Sequence, residues 1–418
     1  MNKKNAIYAQ SGGVTSVINA TATGVIQAVS KSKKINRIFA AKNGILGVLR
    51  EEIYDVSKEN VKEIEKLLFT PGGAFGSCRY KLKNFKEQKK EYLRLIEVFK
   101  AHNIGYFFYN GGGDSQDTAN KISEITTKLD WPVQCIGIPK TVDNDLPFTD
   151  NSPGFGSVAK YVATSTLEAS LDIASMAETS TKVFILEVMG RHAGWIAASA
   201  GLAADKKNDP PHVIIFPEVP FNKTLFLKKV KKTVLQEGYC VIVASEGAQY
   251  KNGKFLAEAE KQDAFGHKQL GGVAPFLANL IDTNLGYKFH WSVSDYLQRS
   301  ARHIASKVDL DQAYEVGKSA VKYAEKGESA VMPIIVRGKG KKYTWRISKA
   351  PLNKIANIEK KMPKKYISSK GFGITKACKD YLLPLIQGEA YPPYVKGIPD
   401  RAKLKKILIK KKLKNFRI

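Results

Sequence analysis

Gly105-Tyr106-Phe107-Phe108-Tyr109-Asn110-Gly111-Gly112-Gly113-Asp114-Ser115 is the stretch from which the rest of the chain is best read. Its apolar half, Gly105 to Tyr109, has the length of a buried strand; three glycines follow, and a helix is expected to open at about Asp114. Glycines there let backbone N–H groups approach a phosphate closely, and the first turn of a helix favours the same negative charge. A second stretch repeats the layout. Val133 to Ile138 reads as a strand and runs into Pro139-Lys140-Thr141-Val142-Asp143-Asn144-Asp145. A cation for phosphate charge, a carboxylate for a metal and another for a hydroxyl proton are what moving a phosphoryl group onto an alcohol requires.

The same order of strand, loop and helix recurs along the chain. Asn5 to Gln10 reads as a buried strand, Ser11-Gly12-Gly13-Val14-Thr15-Ser16 as a tight turn, and Val17 to Ser30 as a helix. Arg37 to Ala41 is a further strand and Val61 to Leu68 a helix, before a second glycine-rich loop, Pro71 to Arg79, that ends in an arginine. Glu91 to Ala101 has the spacing of an amphipathic helix. Beyond Asp145, Phe155-Gly156-Ser157 leads into a long helix from Val158 to Met176. A β-branched strand, Lys182 to Val188, ends in Met189-Gly190-Arg191 and precedes a helix from Trp195 to Ala203. His212 to Phe216 and Cys240 to Ala244 are buried strands around the basic helix Leu225 to Gln236. This alternation predicts an α/β fold of parallel sheets with crossover helices, and ligands at the carboxyl ends of the strands.

After Glu246 the pattern weakens. A short helix is expected within Gly271 to Leu285, a clearer one from Asp311 to Lys326, a strand at Val331 to Val336, and a hairpin turn at Gly338 to Lys342. Tyr391-Pro392-Pro393-Tyr394 is expected to mark the end of compact structure. The organisation predicted is one catalytic unit of two lobes over residues 1–400, with the active site between them, and a basic tail over 401–418.

Composition narrows the function classes. A chain of 418 residues, 43% of them hydrophobic, can bury a sizeable core. No apolar run approaches the roughly 20 residues of a membrane helix, and Met1 to Asn5 leads into a strand, so the cytoplasm is the expected location. Cys78, Cys135, Cys240 and Cys378 are far apart and read as reduced thiols. The net charge of +28 raises the question of nucleic acid. The excess is mostly lysine and widely spread, arginine-rich patches with interleaved aromatics are not seen, and the densest run, Arg401 to Ile418, has no acidic residue; charge alone licenses only non-specific binding, so no specific nucleic-acid partner is expected.

Taken together, Ser11-Gly12-Gly13, Gly76-Ser77-Cys78-Arg79, Gly111 to Ser115, Pro139 to Asp145, Met189-Gly190-Arg191, Ser245-Glu246-Gly247 and Tyr296-Leu297-Gln298-Arg299 resemble the phosphofructokinase family, specifically its pyrophosphate-dependent branch. The resemblance runs from Ser11 to about Gly338. It implies a two-lobed phosphofructokinase-like fold, magnesium as cofactor, and a homodimer or homotetramer that interconverts pyrophosphate plus fructose 6-phosphate with phosphate plus fructose 1,6-bisphosphate. ATP-using members typically carry glycine at the positions of Asp114 and Lys140. An aspartate at the first would crowd and repel a nucleotide's inner phosphate, and a lysine at the second would neutralise pyrophosphate as a compact point charge. Val14, where ATP-type relatives commonly carry a polar residue, argues the same way. One departure concerns the metal: members usually place a magnesium-holding aspartate or asparagine where this chain has Gly113.

The resemblance also implies roles. Asp143 is the general base toward the 1-hydroxyl, with Asp145 orienting it or a metal-bound water. Lys140 and Thr141 stabilise the transferring group. Gly12, Gly13, Arg79, Gly111, Gly112 and Ser115 line the pyrophosphate site, and Asp114 holds the metal. Met189, Gly190, Arg191, Glu246, Tyr296 and Arg299 hold the sugar phosphate, and Lys182 stands where the family places an arginine that reaches across a subunit contact. Each has a plainer reading, as turn residue, helix cap or surface charge. Two other functions compete: an ATP-dependent phosphofructokinase, and a non-catalytic protein that binds phosphosugar or nucleic acid.

Overall fold

The computed structural model describes residues 3–262, 268–340 and 342–418. Six strands come from the first third of the chain: β1 (Asn5–Ser11), β2 (Ile38–Ala41), β3 (Ile53–Asp55), β4 (Ser77–Cys78), β5 (Ile104–Gly111) and β6 (Gln134–Pro139). The chain then builds a separate sheet from β7 (Val183–Val188), β8 (Val213–Ile215) and β9 (Cys240–Ser245). It continues through a ribbon of β10 (Glu258–Gln262) and β11 (Lys268–Leu270) and adds β12 (Phe289–Val293) to the second sheet. It returns to the first sheet through β13 (Val331–Arg337) and β14 (Trp345–Pro351).

The first sheet has the order β14-β13-β6-β5-β1-β2-β3, with β4 paired beside the end of β1. From β13 to β2 the neighbours are parallel, and the two edge pairs, β13–β14 and β2–β3, are antiparallel. The second sheet, β12-β7-β9-β8, is parallel throughout. Parallel strands covered on both faces must be apolar along their whole length. Ile7, Tyr8, Phe107 and Phe108 in the first sheet, and Ile185 and Val243 in the second, are buried accordingly.

Two helix contacts hold this framework together. Helix Ile18–Ser30 crosses helix Lys307–Glu325 at Gly24 and Gly317, where a β-carbon on Gly24 would stand 2.2 Å from the Tyr314 carbonyl oxygen. Asp309, fully buried, lies under the start of helix Phe155–Met176 and accepts the N–H groups of Gly154 and Ser157, both at 2.9 Å. Those N–H groups have no partner within their own helix, so the buried carboxylate satisfies them and is held by them.

Three expectations are refined. The segment within Gly271 to Leu285 forms a full helix, Val273–Leu285, and the expected helix at Asp311 begins earlier, at Lys307, where Ser306 caps it by accepting the Asp309 N–H. The expected hairpin joins β13 to β14, although residue 341 of its turn lies outside the described residues. The prediction that compact structure ends near Tyr394 is corrected. The stretch after residue 400 runs along β3, with the Asp55 N–H donating to Ile407 O and the Ile409 N–H to Ile53 O, both at 2.9 Å. Leu404 packs on one face of the first sheet and Ile409, Leu413 and Phe416 on the other. Glu59 and Glu51 receive backbone N–H groups of Lys405, Lys406, Lys412 and Leu413. Basic composition hid these apolar side chains; what holds the tail is backbone pairing at a sheet edge, which composition does not reveal.

Candidate active site

The carboxyl ends of both sheets open into one cavity of about 630 Å³, within the range that holds small phosphorylated metabolites. The first sheet supplies its floor. Gly12, just past β1, takes φ +73°, a left-handed conformation open to glycine, and its N–H donates to Cys78 O at 2.9 Å. Past β5 the chain turns at Gly111 and Gly112 into helix Gly113–Lys128, whose opening residues Gly113, Asp114 and Ser115 line the cavity. Gln116 locks this turn to the neighbouring strand by donating to Gly111 O at 2.8 Å and Ile138 O at 3.1 Å.

The loop after β6 carries the densest charge. Lys140 is 4% exposed and its ammonium donates to Gly13 O at 2.5 Å, which places it against the first glycine loop. Burial pushes its pKa down to about 8, with Asp143 pulling the other way. Thr141 Oγ1 lies 3.3 Å from an Asp143 carboxylate oxygen and accepts the Asp143 N–H at 3.1 Å. Burial also pushes the Asp143 carboxyl above the usual aspartate range. It lifts Asp145 to about 7, with repulsion from Asp143 adding to the effect. Taking a charge out of water disfavours the charged form, so these groups stand closer to neutrality than their free counterparts.

The second sheet supplies the facing wall. Met189 and Arg191, past β7, line the cavity, while Gly190 is buried and donates its N–H to Glu246 Oε1 at 3.3 Å. Glu246, past β9, is raised to about 7, first by burial and then by Asp143. Past β12, helix Asp295–Ser300 presents Tyr296 and Arg299, the guanidinium lying 3.8 Å above the tyrosine ring. A β-carbon on Gly13 would stand 2.7 Å from Arg299 Nη1, so this arginine spans the gap between the two walls.

Of the residues singled out from sequence, Gly12, Gly13, Arg79, Gly112, Asp114, Ser115, Lys140, Thr141, Asp143, Asp145, Met189, Arg191, Glu246, Tyr296 and Arg299 all line this cavity. Gly111 and Gly190 shape its loops from behind. Lys182 is not brought to it. It stands at the opposite end of β7, where its ammonium donates to the carbonyls of Ala177 and Glu178.

Sequence reasoning missed His192, Asp295, Glu359, Lys360 and Lys361, which also line the cavity. His192 directly follows the Met189-Gly190-Arg191 segment and was within reach; its ring Nδ1 lies 3.2 Å from Glu359 Oε2. The 359–361 segment gave no signal, being one lysine-bearing stretch among many.

For a metal, the donor set is sparse. Among the described residues no cluster of three or more His, Cys, Asp or Glu side chains is placed to hold an ion. Asp114 offers one carboxylate, at present 2.8 Å from Lys81 Nζ. That pair is partly exposed and of small worth. One carboxylate beside a phosphate site fits magnesium, which keeps several waters and commonly takes the rest of its ligands from substrate phosphate.

Residues 5–324 match the phosphofructokinase family. The whole chain is similar to the pyrophosphate–fructose 6-phosphate 1-phosphotransferase of Halomonas elongata, 58% identical with all of both chains covered, and to that of Methylococcus capsulatus, 56% identical over 99% of each. Its fold is similar to the crystal structure of a pyrophosphate-dependent phosphofructokinase from Marinobacter aquaeolei, with a TM-score of 0.92 and 59% identity over 99% of this chain and all of that one.

Proposed function

This chain belongs to the phosphofructokinase family, and on that premise we propose that it transfers a phosphoryl group from pyrophosphate to the 1-hydroxyl of fructose 6-phosphate, reversibly, giving fructose 1,6-bisphosphate and phosphate. The observation that carries this reading is the enclosure of an ammonium, Lys140, and a carboxylate, Asp143, in one cavity, with Asp114 lining it at the start of a helix.

In the forward direction the oxygen on C1 attacks the terminal phosphorus. Its proton passes to Asp143, a new P–O bond forms, and the bridging P–O bond breaks as phosphate leaves. A carboxylate raised toward neutrality is a better proton acceptor than an ordinary aspartate, and the adjacent Thr141 hydroxyl fixes its direction. Lys140 offsets negative charge on the transferring group from a dry position where the interaction is strong. Glu246 accepts sugar hydroxyls and Arg299 takes phosphate oxygens through its planar fork. Magnesium, held by Asp114 and phosphate oxygens, would neutralise charge on the donor. Asp114 and Lys140 favour a small inorganic donor over a nucleotide on steric and electrostatic grounds. A cytoplasmic homodimer or homotetramer, with Lys182 near a subunit contact, completes the reading.

The test is direct. Purified protein is incubated with fructose 6-phosphate and magnesium, and with either pyrophosphate or ATP. Turnover with pyrophosphate is expected. Turnover with ATP alone would overturn the donor assignment, and silence with both would overturn the reaction.

A further inference from the structure

We infer that Lys360 is a positioning residue for the transfer reaction, its ammonium inserted under the turn from Asn144 to Asp150 so as to hold the loop that presents Asp143. The inference rests on the proposed reaction, in which Asp143 must meet a hydroxyl at hydrogen-bond distance.

Lys360 grips this turn along its length. Its backbone N–H donates to Asp145 O at 2.6 Å. Its Nζ lies 2.9 Å from Asp150 O, 3.1 Å from Thr149 O and 3.4 Å from Asn144 Oδ1. An ammonium has three protons, so these acceptors occupy its whole donor capacity. The turn needs holding, because within it Asn144 takes φ +55° and the bulky Phe148 takes φ +66°, a left-handed conformation that a side chain of that size keeps only where its surroundings impose it. The rest of the brace is built around the same point. Asn144 Oδ1 also accepts the Ser152 N–H at 3.0 Å, Asn144 Nδ2 donates to the Tyr381 hydroxyl at 2.9 Å, and that hydroxyl donates to Asp150 O at 2.7 Å. Trp195 closes the far side, with its ring centroid 5.5 Å from Lys360 Nζ and its Nε1 donating to Lys360 O at 3.3 Å. Burial draws the Lys360 pKa down to about 8, and Asp150 and Asp145 draw it back, so the group remains charged near neutral pH.

Both Lys360 and Tyr381 come from beyond residue 324, where the match to the family ends. The sugar-phosphate residues Arg191, Glu246 and Arg299 hang from the other sheet, and the Lys360 ammonium hydrogen-bonds the turn rather than any of them. Loss of Lys360 should therefore misplace the base while leaving the acceptor's binding groups where they are, and small misplacements of reacting groups are costly.

Steady-state kinetics of Lys360→Ala and Lys360→Met decide the matter. Both variants should lose kcat by at least about tenfold, with the KM for fructose 6-phosphate held within about twofold and melting close to that of the parent. Propylammonium replaces the atoms missing from the alanine variant, so it should restore kcat to Lys360→Ala saturably and leave Lys360→Met unchanged. Parental kcat in both variants, a rise in KM matching the fall in kcat, or a loss that no amine restores would each overturn the role. Should Lys360→Ala fail to fold, the split between kcat and KM in Lys360→Met decides alone. Inactivity of the parent with pyrophosphate would instead sink the reaction itself.

Discussion

Lys140, buried, and Asp143, half-buried in the cavity wall, form an acid–base couple whose charges partly compensate. Replacing Asp143 with alanine should lower kcat by roughly 10²–10⁴, the usual worth of general-base catalysis, while calorimetry still finds fructose 6-phosphate bound. Lys140→Met removes a charge-assisted contact worth about 1.5–3 kcal/mol, so kcat/KM for pyrophosphate should fall roughly 10- to 100-fold. The free enzyme needs Asp143 deprotonated and Lys140 protonated. The pKa of Asp143 is raised, so the acid limb of a kcat/KM profile should lie above the ordinary aspartate range. Lys140 is lowered to about 8, so activity should fall as pH rises through that value. Bound pyrophosphate favours the ammonium, and the alkaline limb of kcat should therefore lie at higher pH than that of kcat/KM. An alkaline limb identical in the two profiles would remove Lys140 from the donor site. Gly113 offers a gain-of-function test. A β-carbon there meets nothing within 4 Å, so Gly113→Asp should fold normally and place a second carboxylate beside Asp114. Less magnesium should then be needed for half-maximal activity; an unchanged requirement would place the ion elsewhere.

At the scale of elements, the parts that announce themselves are the ones under the strictest physical demand. Strands buried on both faces must be apolar throughout, which made β1, β5, β6, β7 and β9 readable from sequence, along with the loops at their carboxyl ends. Elements with weaker demands escaped notice. Strand β12 lies at the edge of its sheet, and its sequence Phe289-His290-Trp291-Ser292-Val293 is largely exposed. Strand β14 is antiparallel and also at an edge, where charge is tolerated. Lys360 was invisible for a different reason: one half-buried lysine among 67 basic residues carries no mark of where its ammonium goes. The helix crossing at Gly24 gives a prediction of unusual sign. In an exposed helix, glycine to alanine gains about 1 kcal/mol. Here the new methyl would strike the Tyr314 carbonyl, so Gly24→Ala should lower the melting temperature. A rise would mean that the two helices can separate without loss.

Across the whole molecule, the two sheets differ in how their strands are drawn from the chain. The second is assembled from a continuous stretch, residues 183–293, whereas the first needs strands from both ends and is edged by residues beyond 400. Removing residues 401–418 should therefore uncover apolar surface along β3 and lower thermal stability by several degrees, the shift expected for a few kcal/mol in a protein of this size. Unchanged melting would mean that the tail's contacts contribute nothing net. The same connectivity bears on synthesis. As the polypeptide leaves the ribosome, the sheet that begins first cannot close until β13 and β14 have emerged, while the sheet encoded in between can already assemble. The earliest-made strands must wait, with both flanks unpaired, for the last-made residues: β6 for β13, and β3 for the stretch beyond residue 400.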